Sequence, residues 1–275
     1  MQHFTTKAVA EGFIEPPEWL PKSVVYETLR GSHAYGADTP ESDTDVLGIC
    51  VPPKEIVFPH LAGEIMGFGR QKKRFREFGS VQFESDQFGD LSGELDLSVL
   101  SIVFFFHECM DNQPNRLETL YSPEHCVLTS TKVSEHMRDN RDLFLHQGAM
   151  WRFTGFAKSQ IAKMRKKDRS EKRLFKYGYN AVRMVLEGEQ IIKEGTLVLD
   201  DKVDTLLAVR EGDWTFDEIE EFCDQKETEL REIYDTENAA VPYRPNEDAI
   251  KTLLLECLEE YYGSLDGCIR FSQWS

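Results

Sequence analysis

The sequence predicts an α/β (α+β) fold, with a mixed-sheet domain over residues 1–125 followed by a helical domain over 126–275. Three observations carry this. Residues 22–125 mix short β-branched and aromatic runs with Gly and Pro punctuation, which is how strands and turns read. From about residue 126 the texture changes to long segments of helical pattern. A chain of 275 residues, at about 150 per domain, leaves room for one to two domains.

Taken in order, Lys22 to Leu29 reads as a strand, and so does Val46 to Val51, which Pro52-Pro53 ends. Residues 54–95 form a long excursion with weak strands, interrupted by Gly63, Gly67, Gly69, Gly79, Gly89 and Gly93. Leu95 to Leu97 is expected to end another strand, and Ser98 to Met110 to form a buried helix that stops before Asn112-Gln113-Pro114-Asn115. Long helices are expected at 130–145, 149–167, 170–194, 215–235 and 246–262. Thr215-x-x-Glu218 is a capping box opening one of them, and Gly195 stops another. The domain boundary is expected near Ser122-Pro123.

Composition narrows the class. Aromatic residues at 11% supply ample surface to bury, which argues against disorder. The longest apolar stretch, Val99 to Phe106, is too short to span a bilayer, so no membrane partner is expected. The N-terminal MQHFTTKAVAEGF lacks the basic and apolar regions of a signal peptide. The net charge of −17 disfavours a general grip on nucleic acid but leaves room for a local basic groove. Six cysteines without a C-x-x-C pair fit reduced thiols in a cytoplasmic protein. His107-x-Cys109 and His125-Cys126 read as packing residues, because a structural zinc needs four convergent ligands.

The segment that carries chemistry is Arg30 to Pro53, RGSHAYGADTPESDTDVLGICVPP. Gly31 has no Cβ to keep the backbone from an oxygen-rich ligand. Ser32 offers a hydroxyl and an N–H to a phosphate. Asp43 and Asp45 are two residues apart, so on a strand their carboxylates share a face. Adjacent carboxylates repel each other unless a cation lies between them, and Mg²⁺ prefers such oxygen ligands. Asp-x-Asp after Ser is also an ordinary turn composition. The combination with Gly31-Ser32, with ten residues between it and Asp43, is far more specific than either half.

Strand, Gly-Ser, a link of about ten residues and Asp-x-Asp on a second strand resemble the polymerase-β-type nucleotidyltransferase superfamily. The string GSHAYG…SDTDVLG is closer still to the RlaP-like family, associated with RNA repair and also found in phages. The run from Asp96 through His107 to Asn112-Gln-Pro-Asn-Arg-Leu-Glu118 resembles that family's acidic strand end, helix and Asn-Pro-Asn-x-x-Glu segment, with Gln113 intervening. The resemblance implies that Gly31 and Ser32 bind a triphosphate and that Asp43 and Asp45 hold metal ions. It also implies a third carboxylate on a neighbouring strand. Asp96, alone between Leu95 and Leu97, fits, with Glu94 on the same face as its competitor. The other reading of Asp96 is a cap for the helix that follows.

Charge is uneven. Residues 163–176 hold eight Lys/Arg, and residues 70–76 five more, whereas 217–237 holds ten Asp/Glu. The basic segments either cradle phosphates or pair with the acidic helices. On a helix through 170–194, Lys176, Tyr179/Asn180 and Arg183 share one face. KYGYNAVR there matches the family's Lys…Arg pair seven apart. On the preceding helix, Arg152, Phe156, Ser159 and Lys163 share a face. The resemblance makes these two faces the roof of a nucleotide cleft. It thus implies a Mg²⁺- or Mn²⁺-dependent enzyme of the bacterial or phage-infected host cytoplasm that moves a nucleoside monophosphate from an NTP to a hydroxyl. The acceptor is an RNA end, a protein or a small molecule. The alternatives are a non-catalytic nucleotide-binding module, such as a phage-borne antagonist, and a metal-dependent nucleotide hydrolase.

Overall fold

The computed structural model describes residues 3–38, 42–71, 73–88, 91–166 and 169–269. Lys167 of the basic run, Gly89 and the first and last residues of the expected domains fall outside them. A five-stranded mixed sheet is followed by helices, as the sequence patterning predicts. The strands are β1 (Val24–Leu29), β2 (Thr44–Cys50), β3 (Glu77–Phe88), β4 (Leu91–Ser101) and β5 (Val127–Ser130), in the spatial order β3-β4-β2-β1-β5. Only β2 and β4 run parallel, and the other neighbours are antiparallel.

Alternation along the strands sorts the two faces of the sheet. Leu47 and Ile49 of β2 and Leu100 of β4 join a large core beneath the helices. Val46 and Cys50 of β2 and Leu95, Leu97 and Val99 of β4 join a smaller core on the opposite face. That smaller core is closed by helix α1 (Phe4–Ala10) and by aromatic residues of β3 and the segment before it, Phe75 and Phe78 among them. By the same parity Asp45 and Asp96 lie on the helix-facing side.

Glu27, on β1, is fully buried and holds α1 in place. Its carboxylate accepts the backbone N–H of Phe4 (2.8 Å) and of Thr5 (2.7 Å), and the hydroxyls of Thr5 (2.6 Å) and Thr129 (2.7 Å). It thereby satisfies N–H groups that the first turn of a helix leaves open.

Behind the sheet come α2 (Lys54–Val57), α3 (Ile102–Met110), α4 (Pro114–Leu120), α5 (Lys132–Asp139), α6 (Gly148–Arg165), α7 (Glu171–Glu194), α8 (Val203–Glu211), α9 (Phe216–Asp235), α10 (Glu247–Tyr262) and α11 (Asp266–Ile269). The capping box at Thr215/Glu218 and the left-handed stop at Gly195 (φ 69°) stand where the sequence puts them. Among the described residues no helix is long and apolar enough to cross a membrane.

Several boundaries differ from expectation. Ser98 to Leu100 continue β4 in register with β2 rather than opening a helix. The helix starts at Ile102, capped by Ser101, whose Oγ accepts the Phe104 N–H at 3.2 Å. Asp96 therefore caps nothing. The segment 130–145 is divided among the end of β5, α5 and a 3₁₀ turn at Arg141–Phe144. Strand β5 lies just past the expected boundary yet pairs with β1, and helix α8 was not anticipated. The large core includes residues from Val25 to Leu258, so sheet and helices share one apolar interior.

Candidate active site

The chain between β1 and β2 makes the first wall of the site. After Leu29 the backbone turns through a 3₁₀ helix at Gly31–His33. Gly31 has φ 65°, a conformation glycine adopts without strain. A Cβ there would sit 2.9 Å from Asp45 Oδ2, so the missing side chain also makes room for the carboxylate. The Arg30 N–H donates to the Asp45 carbonyl at 2.9 Å, tying the turn to the start of β2.

Parallel pairing sets the acids. Asp45 is the register partner of Asp96, with Thr44 opposite Leu95 and Val46 opposite Leu97. Asp43 precedes β2 and is exposed, whereas Asp45 and Asp96 are half-buried. Glu94 is exposed and is the cross-strand partner of Glu84 on β3, so Asp96 is the acid beside Asp45. The Asp96 carboxylate accepts the Ser80 hydroxyl. Burial raises the Asp45 pKa above its ordinary value; Arg30 and Lys176 oppose the rise, and Asp96 and Asp43 add to it.

A cavity of about 640 Å³ opens over these groups. Gly31, Ser32, Asp43, Asp45, Asp96, Lys176, Tyr179 and Arg183, all expected from the sequence, line it. Lys172 of the basic run and Asn115 of the Asn-Gln-Pro-Asn run line it too, as do Arg30, Ser80, Arg210 and Glu211, which the sequence reading missed as site residues. Arg210 lies on the unanticipated α8 and donates to the carbonyl of Ala37 in the β1–β2 link. A concavity of about 630 Å³ along α9 is a strip of solvated acids on one helix face and has none of this convergence.

Two expectations for the roof need correction. Lys163 does not line the cavity: it is exposed on α6, with Nζ 5.9 Å from the centre of the Tyr177 ring. Its companions Arg152 and Ser159 are exposed as well, and Arg152 donates to the Asp111 carbonyl at 3.0 Å. Of that face only Phe156 is half-buried, packing on the large core, while its three polar members are exposed. Arg183 reaches the cavity wall but is only 5% exposed, and its Nη1 is held by Glu118 at 2.6 Å and Glu187 at 2.9 Å. Its guanidinium lies 4.0 Å from the centre of the Tyr35 ring, and the Tyr35 hydroxyl donates to Glu118.

The electrostatics of this buried cluster are balanced. Burial alone would lower the Arg183 pKa, but Glu118 and Glu187 raise it well above its ordinary value. Burial would raise Glu118, but Arg183 and the Tyr35 and Arg183 hydrogen bonds outweigh it and lower the pKa. Burial and the adjacent Glu118 push Glu187 well above the carboxylate range. Two buried carboxyl groups thus share one guanidinium. Arg183 therefore binds the protein, leaving Lys172 and Lys176 as the exposed cations of the α7 wall. The Tyr179 hydroxyl is buried without a hydrogen-bond partner, and burial raises its pKa to about 12.

Hard oxygen donors with a repulsion a cation would relieve fit a divalent ion such as Mg²⁺. Among the described residues, however, no three acidic, His or Cys side chains are gathered closely enough to hold an ion alone. Such a site needs substrate oxygens to complete it, which is how Mg²⁺ is usually bound. The described cysteines are all buried and free. Much of the basic surface pairs with acidic helices: Arg165 with Glu220, and Lys158 with Glu227 at 2.7 Å.

Comparison with known proteins follows this geometry. An uncharacterized 38.9 kDa protein encoded in the nrdC-mobD intergenic region of Enterobacteria phage T4 is 28% identical over 141 residues, covering 50% of this chain and 38% of the phage protein. The chain thus matches well under half the length of that relative. A crystal structure of a nucleotidyltransferase-like protein from Exiguobacterium sibiricum aligns with 87% of this chain and 72% of its own, at 10% identity and a TM-score of 0.29. From residue 6 to residue 255 the sequence matches the RNA repair pathway DNA polymerase beta family (RlaP), and the chain belongs to that family.

Proposed function

We propose that the protein is a nucleotidyltransferase that moves a nucleoside monophosphate from an NTP to a hydroxyl acceptor and releases pyrophosphate, with Asp43, Asp45 and Asp96 as its acidic centre. The observation that carries this reading is the side-by-side placement of Asp45 and Asp96 in parallel register, against the Gly31 turn and opposite Lys176. In this reading Ser32 and the Gly31 turn seat the triphosphate, and Lys172 and Lys176 neutralise its outer charge. Asp96 stands where it can take the proton of the attacking hydroxyl. Divalent ions, when bound with the nucleotide, would supply charge neutralisation at the reacting phosphate. The chain itself supplies position and electrostatics, the main contributions in phosphoryl-group chemistry.

The test is a panel of labelled NTPs with Mg²⁺ or Mn²⁺ against an RNA end, a protein hydroxyl and small-molecule hydroxyls, with D45N and D96N alongside. Transfer by the native chain, lost by about 100-fold or more in both variants, is the expected result. Nucleotide bound and recovered unchanged with every acceptor would leave a binding module instead. Free monophosphate accumulating without labelled acceptor would make it a hydrolase.

A further inference from the structure

Strand β3, at one edge of the sheet, does not follow its partner evenly. Phe78 pairs with Val99 and Val81 with Leu97, so two residues, Gly79 and Ser80, stand opposite the single residue Ser98. This is a β-bulge, a device that re-aims a side chain and is common at sheet edges and beside active sites. Phe78 and Val81 both pack on the smaller core. Had the register of Phe78 continued unbroken, Ser80 would stand opposite Leu97 and face that core as well. The extra residue turns it to the other side of the sheet, where it lines the cavity together with Ser98 and Asp96. There its hydroxyl donates to Oδ1 of Asp96.

We propose that Ser80 is a positioning residue of the acidic centre: the bulge holds its hydroxyl against one oxygen of Asp96 and leaves the other oxygen for a divalent cation. The inference rests on the proposed function, because it concerns how that centre gets its geometry. Asp96 is the register partner of Asp45 across a parallel pair, and like charges so placed repel. An untethered carboxylate turns away from such a neighbour, and an arriving ion has to draw it back. A donor fixed on the next strand removes that cost before the ion arrives. The same logic makes the partners of metal ligands matter almost as much as the ligands themselves. The bond has little to do for the fold. Ser80 is exposed, and the ladder resumes beyond the bulge from Val81 to Ser85, so the edge strand is held without it.

The test needs no turnover. Binding of Mn²⁺ in the presence of a non-hydrolysable analogue of each NTP is measured by electron paramagnetic resonance of the free ion, for the native chain, S80A, S80T, D96N and the S80A/D96N double variant. Q82A is the control for the strand, since Gln82 is the register partner of Asp96 but is exposed and outside the cavity lining. Circular dichroism and thermal melts confirm that each variant is folded. S80A is expected to weaken Mn²⁺ binding by about 10- to 100-fold. S80T keeps the hydroxyl and should stay within about threefold of the native chain, and Q82A within about twofold. S80A/D96N should bind no more weakly than D96N, because the hydroxyl acts through that acid alone. If S80A binds Mn²⁺ within about twofold of the native chain, or S80T loses as much as S80A, Ser80 does not position the acid. Either result leaves the nucleotidyltransferase reading intact. A native chain that binds no Mn²⁺ with any analogue would overturn that reading, and the role of Ser80 with it.

Discussion

Replacing Gly31 by alanine separates two costs that the structure makes distinct. The first is local. At φ 65° a Cβ meets the backbone, at about 1–2 kcal/mol for an L-residue in the left-handed region. For a chain of this size each kcal/mol is worth about 2–4 °C in Tm, so G31A should melt about 2–8 °C lower. The second cost is at the site. The new Cβ would lie 2.9 Å from Asp45 Oδ2, roughly half an ångström inside ordinary van der Waals contact. Asp45 cannot yield toward Asp96 or Asp43 without increasing the repulsion that these acids add to the effect of burial on its pKa. The carboxylate therefore leaves its place, and misplacement on the ångström scale costs about 100-fold in rate. Gly263 is the control: its φ is 76° and nothing lies within 4 Å of its added Cβ. G263A should lose similar stability and no nucleotide affinity. Calorimetry with Mg²⁺–NTP and thermal melts on both variants decide the matter. G31A binding nucleotide as well as G263A would refute the claim that the turn exists to admit Asp45.

Other perturbations follow from the same contacts. R183M leaves Glu118 and Glu187 buried without their cation and should cost about 3–5 kcal/mol in urea unfolding. Because the folded-state pKa of Glu187 is raised, its contribution is full below the ordinary carboxylate range and is lost as pH rises through the folded value. E187Q should accordingly flatten the decline of stability as pH rises above the ordinary carboxylate range, and an unchanged slope would contradict the raised pKa of Glu187. Glu27→Ala strands two backbone N–H groups and two hydroxyls and should cost about 2–4 kcal/mol, read as a lower urea midpoint with cavity binding preserved. K176A should weaken Mg²⁺–NTP binding by about tenfold, while K163A, outside the cavity, should leave it unchanged.

Sequence periodicity located what is local and lost what depends on tertiary placement. Asp43 and Asp45 were legible as a pair from their spacing beside Gly31-Ser32, although Asp43 stands just before β2 rather than on it, and the register partner Asp96 because a lone acid stood between leucines. The same arithmetic put Lys176, Tyr179 and Arg183 on one face, and all three reach the cavity. Periodicity does not say which turn of that face is covered. The covering groups, Tyr35 and Glu118, come from residues 148 and 65 positions away in sequence, so Arg183 read as a ligand contact when it is a buried ion-pair partner. Lys163 shares a helical face with Phe156, which packs on the core, but is itself exposed and outside the cavity lining. Arg30 and Arg210 carry no pattern of their own, and they join Asn115 and Lys172 at the cavity only through the packing of α4, α7 and α8.

The Arg183 cluster also bears on how a nucleotide enters. The expected arrangement of two domains suggests a helical roof that swings away from the sheet. Here Arg183 of α7 is locked to Glu118 of α4, stacked on Tyr35 of the β1–β2 link, and surrounded by a core shared with the strands. Parting α7 from that contact separates Arg183 from Glu118 and opens apolar surface that the shared core buries. In the proposed reading the acidic wall and Lys176 therefore keep their separation, and a nucleotide would meet a cavity that is largely formed before it arrives. On that proposal the residues that would complete the site on binding are the exposed ones, Asp43, Lys172 and Lys176, whose side chains can turn toward the phosphates without moving the helix that carries two of them.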